Sequence, residues 1–219
     1  MQAQNPLILE RRTIEMSETG LKIILASSSP RRADLLANIG VQFECVPSQI
    51  GERPHPDEAP ADYITRIARA KVVAVARQRV TGLVIGGDTV VVLDGRLMGK
   101  PADQNEARRM LRELSGRWHA VLTGVALLDV ATHHEVADYD KTLVRFARLT
   151  DTEIDWYVET GEPMDKAGAY GIQGLGAIFV EEIAGNYSNV VGLPIPLVYR
   201  LARRLGYSFI DRRRDYAET

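Results

Sequence analysis

The 219-residue chain sets 27 Lys and Arg against 29 Asp and Glu, and its 45% hydrophobic and 26% charged residues are the mixture of a globular chain able to bury a core. A net charge of −2 argues against a general nucleic-acid binder, which needs a broad excess of Lys and Arg, so any anion site must be local. A single cysteine, Cys45, excludes an internal disulfide and a cysteine-rich zinc site, and no apolar run reaches the roughly 20 residues of a membrane-spanning helix.

Residues 1–20 lack the apolar centre and small-residue cleavage site of a signal peptide, so they read as a disordered extension of a cytoplasmic protein, with Met16 a second start. A single domain is expected over 21–208, followed by a short charged tail over 209–219. From Lys22 the pattern predicts a strand over 22–27, a helix over 30–39 and a strand over 42–47. A connection through Pro54, Pro56 and Pro60 then leads to a long helix over 61–79. A strand over 83–93 turns at Asp94-Gly95, a helix over 103–114 ends at Gly116, and a strand pair fits within 118–148. Thr150-x-x-Glu153 is a capping box for a helix to about Thr160, and a glycine-rich loop precedes a strand over 177–183 and a last helix over 193–205. The alternation of strand and helix points to an α/β fold. Cys45, in the apolar run Phe43 to Val46, is expected to be a buried, inert thiol.

The segment Ser27-Ser28-Ser29-Pro30-Arg31-Arg32 follows an apolar strand and opens an amphipathic helix, with Pro30 suited to the first helical turn. Ser27 and Ser29 then fall where backbone N–H groups and hydroxyls can face an anion, and two arginines at the positive end of a helix dipole call for an anionic partner. An ordinary serine cap with two solvated arginines is the competing reading. Lys71 lies in the apolar stripe marked by Ile64, Ile67, Ala68 and Val75, where it either finds a buried partner or snorkels at the stripe's edge. Asp88, after Gly86-Gly87, interrupts an apolar strand, and a carboxylate there must be paired, hydrogen-bonded or on a metal. The two glycines permit close approach by a ligand or mark a bulge.

Several alternatives fail on spacing. Gly95 and Gly99 enclose three residues and Pro101 follows Lys100, which is not a P-loop, and Gly171-x-x-Gly174-x-Gly176 reverses the dinucleotide fingerprint. His55, His119, His133 and His134 lack metal-site spacing and read as surface or strand residues, and no G-x-S-x-G elbow is present. What remains is a set of hard oxygen ligands, Glu52 and Asp88 foremost, with the cations Arg31, Lys71 and Lys100. That set suits a Mg²⁺-like ion holding a polyphosphate.

Taken in order, Ala26 to Arg32, Glu52, Lys71, Gly87-Asp88-Thr89, Gly99-Lys100-Pro101, Asp165 to Gly174 and Val191-Gly192-Leu193-Pro194 resemble the Maf family of nucleoside triphosphate pyrophosphatases, from about Lys22 to Gly206. The resemblance implies an ITPase-like α/β fold with a mixed central sheet flanked by helices and two lobes around a substrate groove. It also implies a divalent metal, Mg²⁺ or Mn²⁺, on Asp88 and Glu52, a nucleoside triphosphate substrate, and a homodimer by analogy. It makes Asp88 the proton acceptor, with Glu52, Lys71 and Lys100 its companions. Arg31, Thr89 and Gln173 match the specificity positions of the subfamily acting on dTTP and UTP. The sister subfamily, acting on 7-methyl-GTP, carries an aromatic residue in place of the arginine and a glutamate in place of the glutamine. Gly51 and Ala70 stand where acidic residues are common in the family, which weakens any assignment of supporting carboxylates. A cell-division regulator that acts by binding is the alternative from another class.

Overall fold

A computed structural model describes residues 22–209; the expected N-terminal extension and all of the charged tail beyond Phe209 lie outside the described residues. One seven-stranded sheet runs in the order β2-β1-β3-β5-β6-β7, with β4 pairing on β3. The strands are β1 (Ile23–Leu25), β2 (Glu44–Cys45), β3 (Leu83–Leu93), β4 (Arg96–Met98), β5 (Trp118–Asp129), β6 (His134–Phe146) and β7 (Val180–Ala184). β1 is parallel to β2 and β3, whereas β3, β5, β6 and β7 are successively antiparallel, so the sheet is mixed as the resemblance implies.

The helices follow the same logic of burial. α2 (Pro60–Ala76) lays Ile64, Ile67, Ala68, Val72 and Val75 on one face of the sheet, against Val84, Val90, Leu122 and Ala126. α1 (Pro30–Asn38) and α6 (Ile195–Arg204) cover the opposite face, where Leu36, Leu197, Val198 and Leu201 meet Leu25, Ile85, Val125 and Leu127. α3 (Gln104–Leu114) and α4 (Asp151–Glu159) build a separate core around Val91, Phe146, Tyr157, Tyr170 and Phe179 at the far end of β3. The capping box expected at Thr150 and Glu153 is present with both of its hydrogen bonds. Short 3-10 turns at Glu162–Asp165, Ala167–Ala169 and Gly174–Phe179 occupy the glycine-rich stretch, so β7 begins later than the pattern predicts. A five-residue helix, α5 (Tyr187–Val191), was not predicted; Asn186 caps it by accepting from the Ser188 N–H.

Cys45 is exposed rather than buried, because β2 is a two-residue edge strand whose second residue turns away from the core. His119, by contrast, is a strand residue inside the far core, 3% exposed. Among the described residues no helix is long and apolar enough to cross a membrane.

Candidate active site

The site occupies a notch in the sheet. β1 pairs with β3 only over Leu83 to Ile85 and then leaves, its last link being the Ala26 N–H donating to Ile85 O at 2.7 Å. β4 joins β3 only from Val91 onward, so the edge of β3 from Gly86 to Val90 is open on that side. Because side chains alternate along a strand, Asp88 faces α2 while Thr89 faces α1, and the open edge exposes both to one groove.

On the α2 face, Lys71 is 5% exposed, and its ammonium lies 2.9 Å from Asp88 Oδ1 and 2.8 Å from Glu52 Oε1. Lys71 therefore has a buried partner in Asp88 and a more exposed one in Glu52, and does not snorkel. Asp88 is held by the regular strand, Lys71 by the buried stripe of α2, and Glu52 by a loop. Two contacts fix that loop: the Tyr63 hydroxyl donates to Glu52 O at 3.2 Å, and Arg66, paired with Glu58, donates to Arg53 O at 3.0 Å. Burial, reinforced by the Asp88 and Glu52 charges, pushes the Tyr63 phenol up to about 12, so it remains a donor.

On the α1 face the decisive residue is Arg32, expected with Arg31 to meet an anion but left out of the cationic set of Arg31, Lys71 and Lys100. It is 9% exposed, and its Nε donates to Gly192 O at 2.7 Å, its Nη2 to Thr89 Oγ1 at 3.0 Å and its Nη1 to Ser27 Oγ at 3.4 Å. Burial pushes the guanidinium pKa down, and the nearby Asp88 and Glu52 charges only partly offset it. Its signal was available: Arg32 sits one turn before buried Leu36, on the same face of α1. Behind Thr89, Thr123 Oγ1 lies 3.0 Å away and donates to Asn189 O, which ties the wall to α5.

Ser29 holds the N-cap position of α1 but makes no side-chain cap hydrogen bond, and Ser27 Oγ instead accepts the Ser29 N–H at 3.1 Å. This departs from an ordinary serine cap and leaves α1's N-terminus lining the groove with Ser27, Ser28 and Ser29. Arg31 reaches across to Asp165 Oδ2 at 3.0 Å, linking the two lobes. Lys100 and Gln173 are both exposed on the groove's far side, with Tyr170, Gly171 and Lys166. The whole groove encloses about 430 Å³ and brings together the candidates Ser27, Ser29, Arg31, Glu52, Lys71, Asp88, Thr89, Lys100 and Gln173.

Among the described residues no three His, Cys, Asp or Glu side chains form a metal-binding group. Glu52 and Asp88 provide two carboxylates on one ammonium, which fits a Mg²⁺-like ion of the kind that takes one or two carboxylates and completes its shell with phosphate oxygens and water.

Residues 22–205 match the family model described as Maf-like protein. The chain is 52% identical over 188 residues to a protein of Anaeromyxobacter dehalogenans named dTTP/UTP pyrophosphatase, covering 85% of this chain and 95% of that protein. A Geobacter sulfurreducens protein of the same name is 51% identical over 185 residues, covering 84% and 97%. A solved structure of a HAM1 protein from Coxiella burnetii matches 85% of this chain and 98% of its own, at 16% identity and a TM-score of 0.48. With the match running from the first strand to the end of the last helix, and half of the residues shared with full-length relatives, the chain belongs to the Maf-like protein family.

Proposed function

We propose that this protein hydrolyses dTTP and UTP to the nucleoside monophosphate and pyrophosphate, with a divalent cation, Mg²⁺ or Mn²⁺, on Asp88 and Glu52. The observation that carries the reading is the Lys71 ammonium fixed between Asp88 and Glu52 in a groove that also holds α1's N-terminus, Lys100 and Gln173. The substrate pair is supported by the names of relatives about half identical over most of their length.

In this reading Ser27, Ser29 and the N–H groups opening α1 bind phosphate oxygens, and Lys100 meets them from the opposite side. Water attacks the α-phosphorus as the bond to the pyrophosphate oxygen breaks, so negative charge grows on the leaving group. Lys100 and Arg31 are placed to meet that charge, and Asp88, the less exposed of the two carboxylates, accepts the water proton. Lys71 holds the Asp88 oxygen in place at 2.9 Å. The cation, when bound, offsets the repulsion between the carboxylates and the triphosphate and polarises the phosphoryl oxygens. Gln173 offers one donor and one acceptor, which complements the adjacent carbonyl and N–H of a thymine or uracil ring.

The test is pyrophosphate release from dTTP, UTP, CTP, dATP and 7-methyl-GTP, each with Mg²⁺, Mn²⁺ and chelator. Metal-dependent release from dTTP and UTP ahead of the purines is expected. Faster turnover of 7-methyl-GTP would overturn the substrate choice, and no release from any triphosphate would overturn the reaction.

A further inference from the structure

We propose that Glu162, outside the groove's reacting end, is a positioning residue that sets base selection by clamping the segment that carries Gln173, directly on one flank and through Tyr157 on the other. The inference rests on the reading of Gln173 as the base-facing residue.

Three donors converge on the one carboxylate. Glu162 Oε1 accepts the Tyr157 hydroxyl at 2.9 Å and the Gly176 N–H at 3.1 Å, and Oε2 accepts the Leu175 N–H at 3.0 Å. The Tyr157 oxygen in turn accepts the Gly171 N–H at 3.1 Å. Gly171 lies two residues before Gln173, and Leu175 and Gly176 lie two and three after it, so Glu162 holds one end of the loop directly and the other through the Tyr157 hydroxyl. Tyr157 is fully buried in the far core and gives the clamp a rigid base.

The neighbouring glycines are shaped around this arrangement. Gly174 has φ +71°, and a Cβ there would fall 2.7 Å from Glu162 Oε2; a Cβ on Gly176 would fall 2.5 Å from the Tyr157 oxygen. Neither position accepts a side chain without breaking the clamp. A carboxylate is the one side chain suited to the centre, since it only accepts, whereas an amide would turn its NH₂ toward an N–H or hydroxyl donor. Burial raises the Glu162 pKa, but the Leu175 and Gly176 N–H groups and the Tyr157 hydroxyl outweigh it and hold the carboxyl below its ordinary range, so it stays ionised. Gln173 itself is exposed, and its aim depends on the backbone at either side.

The experiment compares kcat and KM for dTTP and 7-methyl-GTP, and inhibition by pyrophosphate, in wild type, Glu162→Gln, Tyr157→Phe, Gln173→Ala and the Glu162→Gln/Gln173→Ala pair. Glu162→Gln should raise KM for dTTP about tenfold with kcat less affected, and reduce the preference for dTTP by about tenfold, because mismatched hydrogen bonds discriminate that strongly. Pyrophosphate inhibition should stay within about twofold, since the Ser27–Ser29 wall and Lys100, which hold the phosphate groups, make no bond to Glu162, and the pair should lose no more selectivity than Gln173→Ala alone. Tyr157→Phe, which deletes one hydroxyl, should show the same direction and decides the matter if Glu162→Gln does not fold. If Gln173→Ala alters base preference while the folded Glu162 and Tyr157 variants keep wild-type selectivity, the proposal is overturned and the reading of Gln173 stands. If all substrates and pyrophosphate weaken equally in the clamp variants, Glu162 is only structural and the proposal also fails. An unchanged base preference in Gln173→Ala removes the reading of Gln173 itself, and the clamp's role in selection falls with it.

Discussion

The Lys71 ammonium is the hinge of the site's electrostatics, and its two partners are not equivalent. Asp88 is 10% exposed at its side chain and Glu52 43%, so Asp88 has less water than Glu52 to take the place of Lys71 as a partner. Removing the ammonium with Lys71→Met should therefore cost about 3 kcal/mol, the range for breaking a buried pair, and Asp88→Asn on top of it should recover most of that loss. Urea denaturation of the two variants measures both numbers, and a Lys71→Met protein as stable as wild type would show that the pair does not hold the fold. Asp88→Asn alone should be milder in stability, because Lys71 keeps Glu52 at 2.8 Å, yet turnover should fall by about 10² or more if Asp88 takes the proton. Activity within about threefold of wild type would remove Asp88 from that role, given the usual size of general-base effects. Burial arguments from the sequence found Lys71 and Asp88 separately, as charges in apolar patterns. Glu52 was marked by no burial argument and entered only as a remaining oxygen ligand and through the family resemblance, since it arrives on an irregular, proline-rich loop where no periodicity says which way a side chain points. The same periodicity that exposed Lys71 would have exposed Arg32 had it been applied to a shorter helix.

At the scale of elements, the site depends on how closely α2 lies on the sheet. Gly86 and Gly124 make that contact possible: a Cβ on Gly86 would come 2.7 Å from Val72 Cγ1, and one on Gly124 would come 2.5 Å from the backbone oxygen of Ile64. The sequence reading allowed the glycines before Asp88 either a ligand or a bulge. β3 pairs without interruption from Leu83 to Val92, so there is no bulge, and the close neighbour of Gly86 is the helix. Such a partner is invisible from local sequence because it comes from an element whose register on the sheet is set by tertiary packing. Gly124 pairs with Asp88 across the strands, on the α2 face. Gly124→Ala should thus push α2 outward, lowering stability by about 1–3 kcal/mol and withdrawing Lys71 from Asp88. Thermal melting and steady-state rates on one preparation test this; a variant with wild-type melting and turnover would show that α2 can shift without consequence.

For the molecule as a whole, the two lobes respond differently to acid, because the far core contains a histidine that the catalytic reading does not use. His119 projects from β5 against the edges of Phe146 and Tyr170, with Nε2 2.7 Å from the Tyr170 oxygen and Nδ1 buried without a partner. The cheaper arrangement puts the proton on Nε2, donating to Tyr170, and leaves only an acceptor lone pair unsatisfied at Nδ1; a second proton there would leave a buried cation with an orphaned N–H. Burial accordingly pushes the His119 pKa down from 6.5 to about 4. Well above pH 6.5 the ring is neutral whether the chain is folded or unfolded, and the stability is fully present. As pH falls from 6.5 toward 4 the unfolded chain binds a proton that the folded chain refuses, so folding stability declines, by about 2 kcal/mol at pH 5. His119→Phe keeps the apolar packing and removes the titration. Its stability at pH 7.5 will be offset by the unpaired Tyr170 hydroxyl, but the offset is the same at every pH in this range, because the tyrosine is held far above its ordinary pKa by burial. The measurement is chemical denaturation of both proteins between pH 7.5 and 5. Carboxylate protonation acts alike on the two, so the wild-type curve should fall more steeply, by about 2 kcal/mol over that interval. Parallel curves would mean that the far lobe admits a proton, or water, to His119 without opening.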